Sequence, residues 1–99
     1  MISEGRYNEI TIEAVDYALL GFGEELKHAF YCHFSSNYQL KRKDIPYRLG
    51  DFQEALQDSL SKGTKIVERL VAQNIYSRIG LSFTDHDDWR LVDYAKNAI

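Results

Sequence analysis

Gly21-Phe22-Gly23-Glu24-Glu25-Leu26-Lys27-His28-Ala29-Phe30-Tyr31-Cys32-His33 opens the stretch, running on to Val71, that decides the fold. Leu26, Ala29, Phe30 and His33 recur at helical spacing. So do Phe52, Leu56 and Leu60, and then Ile66, Val67, Leu70 and Val71. Apolar residues three and four apart mark one face of a helix. Between the first two groups lies Lys41-Arg42-Lys43-Asp44-Ile45-Pro46, where Pro46 forces Ile45 into extended backbone. The reading is all-α: a compact bundle of four to five helices.

Upstream, Thr11 is placed to cap a helix, and Ile12, Val15, Leu19, Phe22, Leu26, Ala29 and His33 continue as one stripe. Gly21 and Gly23 interrupt it, but the stripe runs on across them, so one bent helix within residues 9–34 is expected. Asn37 is suited to the left-handed turn that ends it. Residues 38–50 read as irregular, with Leu40 and Ile45 pinning the segment and Lys41, Arg42 and Lys43 pointing outward.

Downstream, Asp51 with Glu54 resembles a capping box for a short helix near 51–61, which Gly63 ends. Thr64 then caps a central helix near 64–79, whose apolar stripe covers more than half its circumference, and Gly80 stops it. A terminal helix near 85–97 starts at Thr84-Asp85, with Asp87 and Asp88 at its positive end and Trp89, Val92 and Ala95 inward. The expected core includes Leu19, Phe22, Leu26, Phe30, Phe52, Leu56, Ile66, Leu70 and Val71.

Size and composition bound the rest. A chain of 99 residues with 44% apolar content supports one domain, residues 1–99, able to fold without staples. Its single thiol, Cys32, forms no internal disulfide and suits a reducing cytoplasm. No run approaches the roughly 20 apolar residues that cross a bilayer, and the N-terminus lacks a secretory pattern. The chain therefore reads as cytoplasmic, with no membrane partner.

Charge is segregated. Residues 1–40 carry two Lys/Arg against six Asp/Glu, and residues 41–80 carry eight against five. Overall the net charge is −3, which disfavours nonspecific nucleic-acid binding. The basic middle is the exception. Lys41, Arg42, Lys43 and Arg48, with Tyr38 and Tyr47 beside them, form a candidate anion or partner contact. Lys62 and Lys65 flank Gly63-Thr64 at a helix start, a second candidate anion site, without the spacing of a phosphate-binding loop. Residues 51–79 also have a helix-turn-helix outline, so a DNA-binding regulator using the basic 41–78 region is an alternative.

Three smaller constellations complete the survey. Glu24, His28 and Cys32 lie one turn apart and could offer ligands to zinc, a metal-binding or small-ligand alternative without a second ligand cluster. His33 lies on the apolar stripe and Asn74 falls inside the wide one, marking a buried polar contact or a small pocket. No nucleophilic triad or acid–base pair emerges, so neither catalysis nor a cofactor is expected. Tyr17, Leu20, Tyr31 and Phe34 form a second apolar set beside the main stripe, which a homodimer contact near Gly21 would cover.

From Leu20 to Ile79 the pattern resembles the Nitrososphaera output domain type five family, small archaeal output domains of signalling proteins. The matching features are Gly23-Glu24-Glu25-Leu26-Lys27, Ala29-Phe30-Tyr31-Cys32-His33, Leu40 to Pro46, and the helix start from Gly63 to Leu70 with Glu68. Ser61 and Thr64 depart from it, standing where an aromatic and a small apolar residue are expected. The resemblance implies a non-enzymatic regulatory module acting through protein–protein interaction, and it transfers no site residue.

Overall fold

The computed structural model describes residues 3–98. Five α-helices and two short 3₁₀ turns follow one another with no strand among the described residues. The expected all-α bundle is the fold.

Helix α1 spans Glu4–Leu20 and begins where the Ser3 hydroxyl accepts the Arg6 amide at 3.2 Å. Thr11 is not its cap. It lies inside the helix, buried, and donates its hydroxyl to the Tyr7 carbonyl one turn back at 3.0 Å. Ile10, Ala14, Val15, Ala18 and Leu19 form the inward face.

The single bent helix expected across the glycines is in fact two. The amides of Gly21, Phe22 and Gly23 bond three residues back, which tightens and ends α1. Gly23 then takes φ 98°, ψ 158°, a conformation closed to residues with a Cβ, and the chain reverses into α2, Glu24–Tyr38. The break rotates the stripe. Phe34 becomes fully buried while Phe22 and Leu26, expected in the core, are exposed, and Phe30 is half-buried. Gln39, at φ 48°, makes the left-handed turn that Asn37 was expected to make.

Residues 42–47 are a 3₁₀ helix, Arg42–Tyr47, rather than irregular chain, and Ile45 lies within it instead of in the extended backbone expected ahead of Pro46. Leu40 and Ile45 are buried as expected. Helix α3, Leu49–Leu60, starts two residues before Asp51, which pairs with Arg48 instead of capping. It buries Phe52, Ala55 and Leu56 and ends at Ser61 rather than Gly63, Ser61 taking φ 48°.

After a 3₁₀ turn, Ser61–Gly63, helix α4 runs Thr64–Ile79 and ends at Gly80 with φ 80°, as expected. Thr64 is a buried first-turn residue rather than a cap, since its side chain makes no capping bond. Packed against α1, α3 and α5, α4 is the central element. Its buried face is set by Val67, Glu68, Val71, Ala72 and Ile75. Ile66 and Leu70, placed in the core by the sequence, lie outside it at 64% and 40% exposure.

Helix α5 is Leu91–Asn97, shorter than the expected 85–97. Thr84 and Asp85 cap nothing, and residues 81–90 are irregular with Asp87 and Asp88 in a turn. Helix entry is at Arg90, whose amide donates to the Asp93 carboxylate at 2.9 Å. Tyr7 on α1 donates its hydroxyl to the Ala95 carbonyl, and Tyr76 on α4 donates to the Tyr94 carbonyl. The start of α1 and the end of α4 therefore share one end of the bundle, and the two helices are antiparallel.

Candidate functional site

Among the described residues eight large apolar side chains are exposed, and six of them come from two short segments: Tyr17, Leu20, Phe22 and Leu26, then Ile66 and Leu70. The first segment holds the end of α1 and the start of α2, and the second is the first half of α4. Because α1 and α4 are antiparallel, both lie at the end of the bundle opposite α5's Ala95. Phe22 stays anchored there, its ring meeting Phe30 edge-on at 5.5 Å. Tyr17, Leu20, Ile66 and Leu70 lie on α1 and α4, which pack against each other, whereas Leu26 lies on α2, which packs against α1 and α3.

The apolar set expected from Tyr17, Leu20, Tyr31 and Phe34 is only half exposed: Tyr17 and Leu20 face solvent. Phe34 is wholly buried against Phe52, and Tyr31 is half-buried with its hydroxyl on Asp16 at 2.5 Å. The α1–α2 break turns those two inward and brings Phe22 and Leu26 out.

The basic cluster of residues 41–48 does not form a common patch. Arg42 grips the Asp16 carboxylate, with Nε at 2.9 Å from Oδ1. Burial alone would raise the Asp16 pKa, but hydrogen bonds from Arg42 and Tyr31 outweigh it and hold the carboxyl below its ordinary range. The same bond to Asp16 raises Arg42. Arg48 turns inward, donating to the carbonyls of Gln39 and Tyr38 at 2.7 and 3.1 Å and to Asp51. Lys41 and Lys43 remain exposed.

The second basic site is also divided. Lys65 donates to the Asp87 carbonyl at 3.4 Å, Arg69 pairs with Asp85 at 3.1 Å, and Lys62 is exposed. The three α4 cations, Lys65, Arg69 and Arg78, are all exposed, but Arg69 is paired with Asp85 and Arg78 with Glu13.

Asn74 is half-buried and accepts from Arg78 Nε at 2.5 Å, and Arg78 also reaches Glu13. It belongs to a surface polar chain, not to an internal pocket. His33 is half-buried, with Nδ1 at 2.6 Å from the Asn37 amide and Nε2 buried without a partner among the described residues. Glu24 and His28 approach to 3.6 Å on an exposed face, and Cys32 is exposed. Among the described residues no three His, Cys, Asp or Glu side chains gather in a way that could hold a metal ion.

At the other end lies a groove of about 530 Å³, between Tyr7, Pro46, Tyr47, Leu49, Val92 and Ala95. Its volume suits a small ligand. Its lining also includes the exposed Glu4 and Lys96, and within it the Asn8 amide donates to the Tyr47 hydroxyl at 3.0 Å.

Sequence reasoning missed Glu68 as a functional group of the fold. It is buried, accepting from Arg90 and from the Leu91 amide, while Gln53 accepts the Val92 amide at 2.9 Å. These two side chains cap α5 from other helices. The signal was present in a carboxylate lying within an apolar stripe, a place where charge is found only when paired. Compared with protein-family models, curated proteins and solved structures, the chain matches none.

Proposed function

We infer that this chain is a non-enzymatic regulatory domain that works by docking onto a protein partner through the apolar end of its bundle, in the cytoplasm. The observation that supports this reading is the exposure of Tyr17, Leu20, Ile66 and Leu70 on the packed pair α1 and α4, with Phe22 and Leu26 exposed just after α1, against the hydrophobic effect. The pattern resemblance of residues 20–79 to small signalling output domains points the same way. So does the pairing of Arg42, Arg48 and Arg69 with Asp16, Asp51 and Asp85, which offsets much of the positive charge of the basic middle.

The test is capture from native cell extract with the immobilised full chain and with Leu26→Glu and Ile66→Glu. Both positions are exposed, so the variants keep the fold. Proteins held by the wild type and lost from both variants support the reading. The same proteins on all three chains, or salt-sensitive retention on duplex DNA that Leu26→Glu leaves intact, would overturn it.

A further inference from the structure

We propose that the groove beside the start of α1 binds a small zwitterion with an apolar body: an amino acid, or a peptide of two or three residues with both ends free. The groove shares no residue with the proposed docking surface, so a failure of either leaves the other untouched.

Three parts of the chain wall the groove, and hydrogen bonds tie them together. The Tyr7 hydroxyl of α1 donates to the Ala95 carbonyl of α5 at 3.2 Å, and the Asn8 amide of α1 donates to the Tyr47 hydroxyl at 3.0 Å. Gln53 of α3 accepts the Val92 amide of α5 at 2.9 Å. The walls are therefore set before a ligand arrives, which lowers the cost of binding. A volume of about 530 Å³ is that of a small-molecule site. Tyr47 is 68% exposed, yet Asn8 holds its hydroxyl, so its ring is a fixed aromatic wall left facing water. An apolar side chain laid on that wall, against Pro46 and Val92, removes apolar surface from water on both molecules.

The charges select the class of ligand. Glu4 and Lys96 also line the groove, are exposed, and make no ion pair among the described residues. They come from separate walls: Glu4 is one turn before Asn8 on α1, and Lys96 is one turn after Val92 on α5. A purely apolar ligand leaves both charges unanswered, and a singly charged one meets a like charge on one wall. An ammonium for Glu4 and a carboxylate for Lys96, on one molecule, answer both.

Amide NMR titration of the full chain with phenylalanine, leucyl-phenylalanine and leucyl-leucyl-phenylalanine tests this, since the three differ in the span between their charged ends. At least one is expected to give saturable shifts at Tyr7, Asn8, Val92 and Ala95, with a dissociation constant at or below about 1 mM. Tyr47→Ala is expected to weaken that ligand about fivefold with unchanged helical circular dichroism. Acetylating the ligand's amine, or amidating its carboxylate, is expected to cost about threefold each, the worth of an exposed ion pair. The first penalty should vanish in Glu4→Gln and the second in Lys96→Gln. The proposal is overturned if none of the three saturates, if shifts fall only outside the groove, if Tyr47→Ala binds as well as wild type, or if both penalties persist in the variants.

Discussion

Arg90 and Glu68 meet as a fork on a carboxylate: Arg90 Nε lies 2.8 Å from Glu68 Oε1, and Nη2 lies 2.6 Å from Oε2. Glu68 Oε1 also takes the Leu91 amide at 2.9 Å. One buried carboxylate on α4 thus neutralises a cation and caps the first turn of α5. Removing it leaves an amide and a guanidinium without their acceptor. Glu68→Ala is expected to cost about 2–3 kcal/mol, below the range for fully buried pairs because Arg90 is partly exposed. Urea unfolding measures it, and a cost under about half a kcal/mol would mean α5 is held by other contacts.

Asp16 gives the fold an acid limit. Burial would raise its pKa, but Arg42 and Tyr31 together depress it. A depressed carboxylate stabilises the fold above its unfolded pKa and loses that contribution as pH falls through the folded value. The window therefore lies below about pH 4. Asp16→Asn is expected to cost about 1 kcal/mol at neutral pH, with the difference from wild type shrinking toward about pH 2. Unfolding midpoints measured at several pH values check this, and a constant difference down to pH 2 would contradict it.

Leu70 and Leu56 have the same side chain and opposite surroundings, 40% exposed against fully buried. Leu56→Ala is expected to cost about 2–5 kcal/mol, the range for a core cavity. Leu70→Ala should cost about 1 kcal/mol or less, since much of its surface already meets water. Equal costs would place Leu70 in the core and remove it from the proposed contact surface.

The helices were legible where one side of the chain is apolar and a strong stop signal follows. Gly80 ended α4 as read, and Phe52, Leu56, Leu19 and Val71 are buried as read. The errors share a cause. Continuous apolar spacing from Ile12 to His33 concealed the break, because Gly23's positive φ is a conformational property that periodicity does not register. Ile66 and Leu70 widened the α4 stripe because apolar side chains outside the core look the same in sequence as those within it. Arg42 and Arg48 read as one basic patch because their acceptors, Asp16 and the Tyr38–Gln39 carbonyls, come together only in three dimensions. Glu68 was visible as an anomaly, but Arg90 lies 22 residues further along.

Glycines at two positions should respond to alanine in opposite directions. Gly5 lies inside α1 with open space where a Cβ would sit, so Gly5→Ala is expected to stabilise by about 0.5–1 kcal/mol. Gly23 also has room, but its φ of 98° does not suit a side chain. Gly23→Ala is expected to destabilise by about 1–3 kcal/mol. Thermal unfolding of the two variants separates them. A stable Gly23→Ala would mean the α1–α2 turn can relax into continuous helix.

The caps of α5 also bear on how this chain can change over generations. A seven-residue helix has little stability of its own, so its start depends on Gln53 and Glu68, carried by two other helices. Neither position is free to drift alone. Losing the guanidinium at 90 strands a buried charge at 68, and losing the charge at 68 strands an amide at 91. Descendants that keep this architecture should therefore exchange positions 68 and 90 as a pair, with an acceptor retained at 53. Such linked inheritance can identify a distant relative after the apolar pattern has blurred.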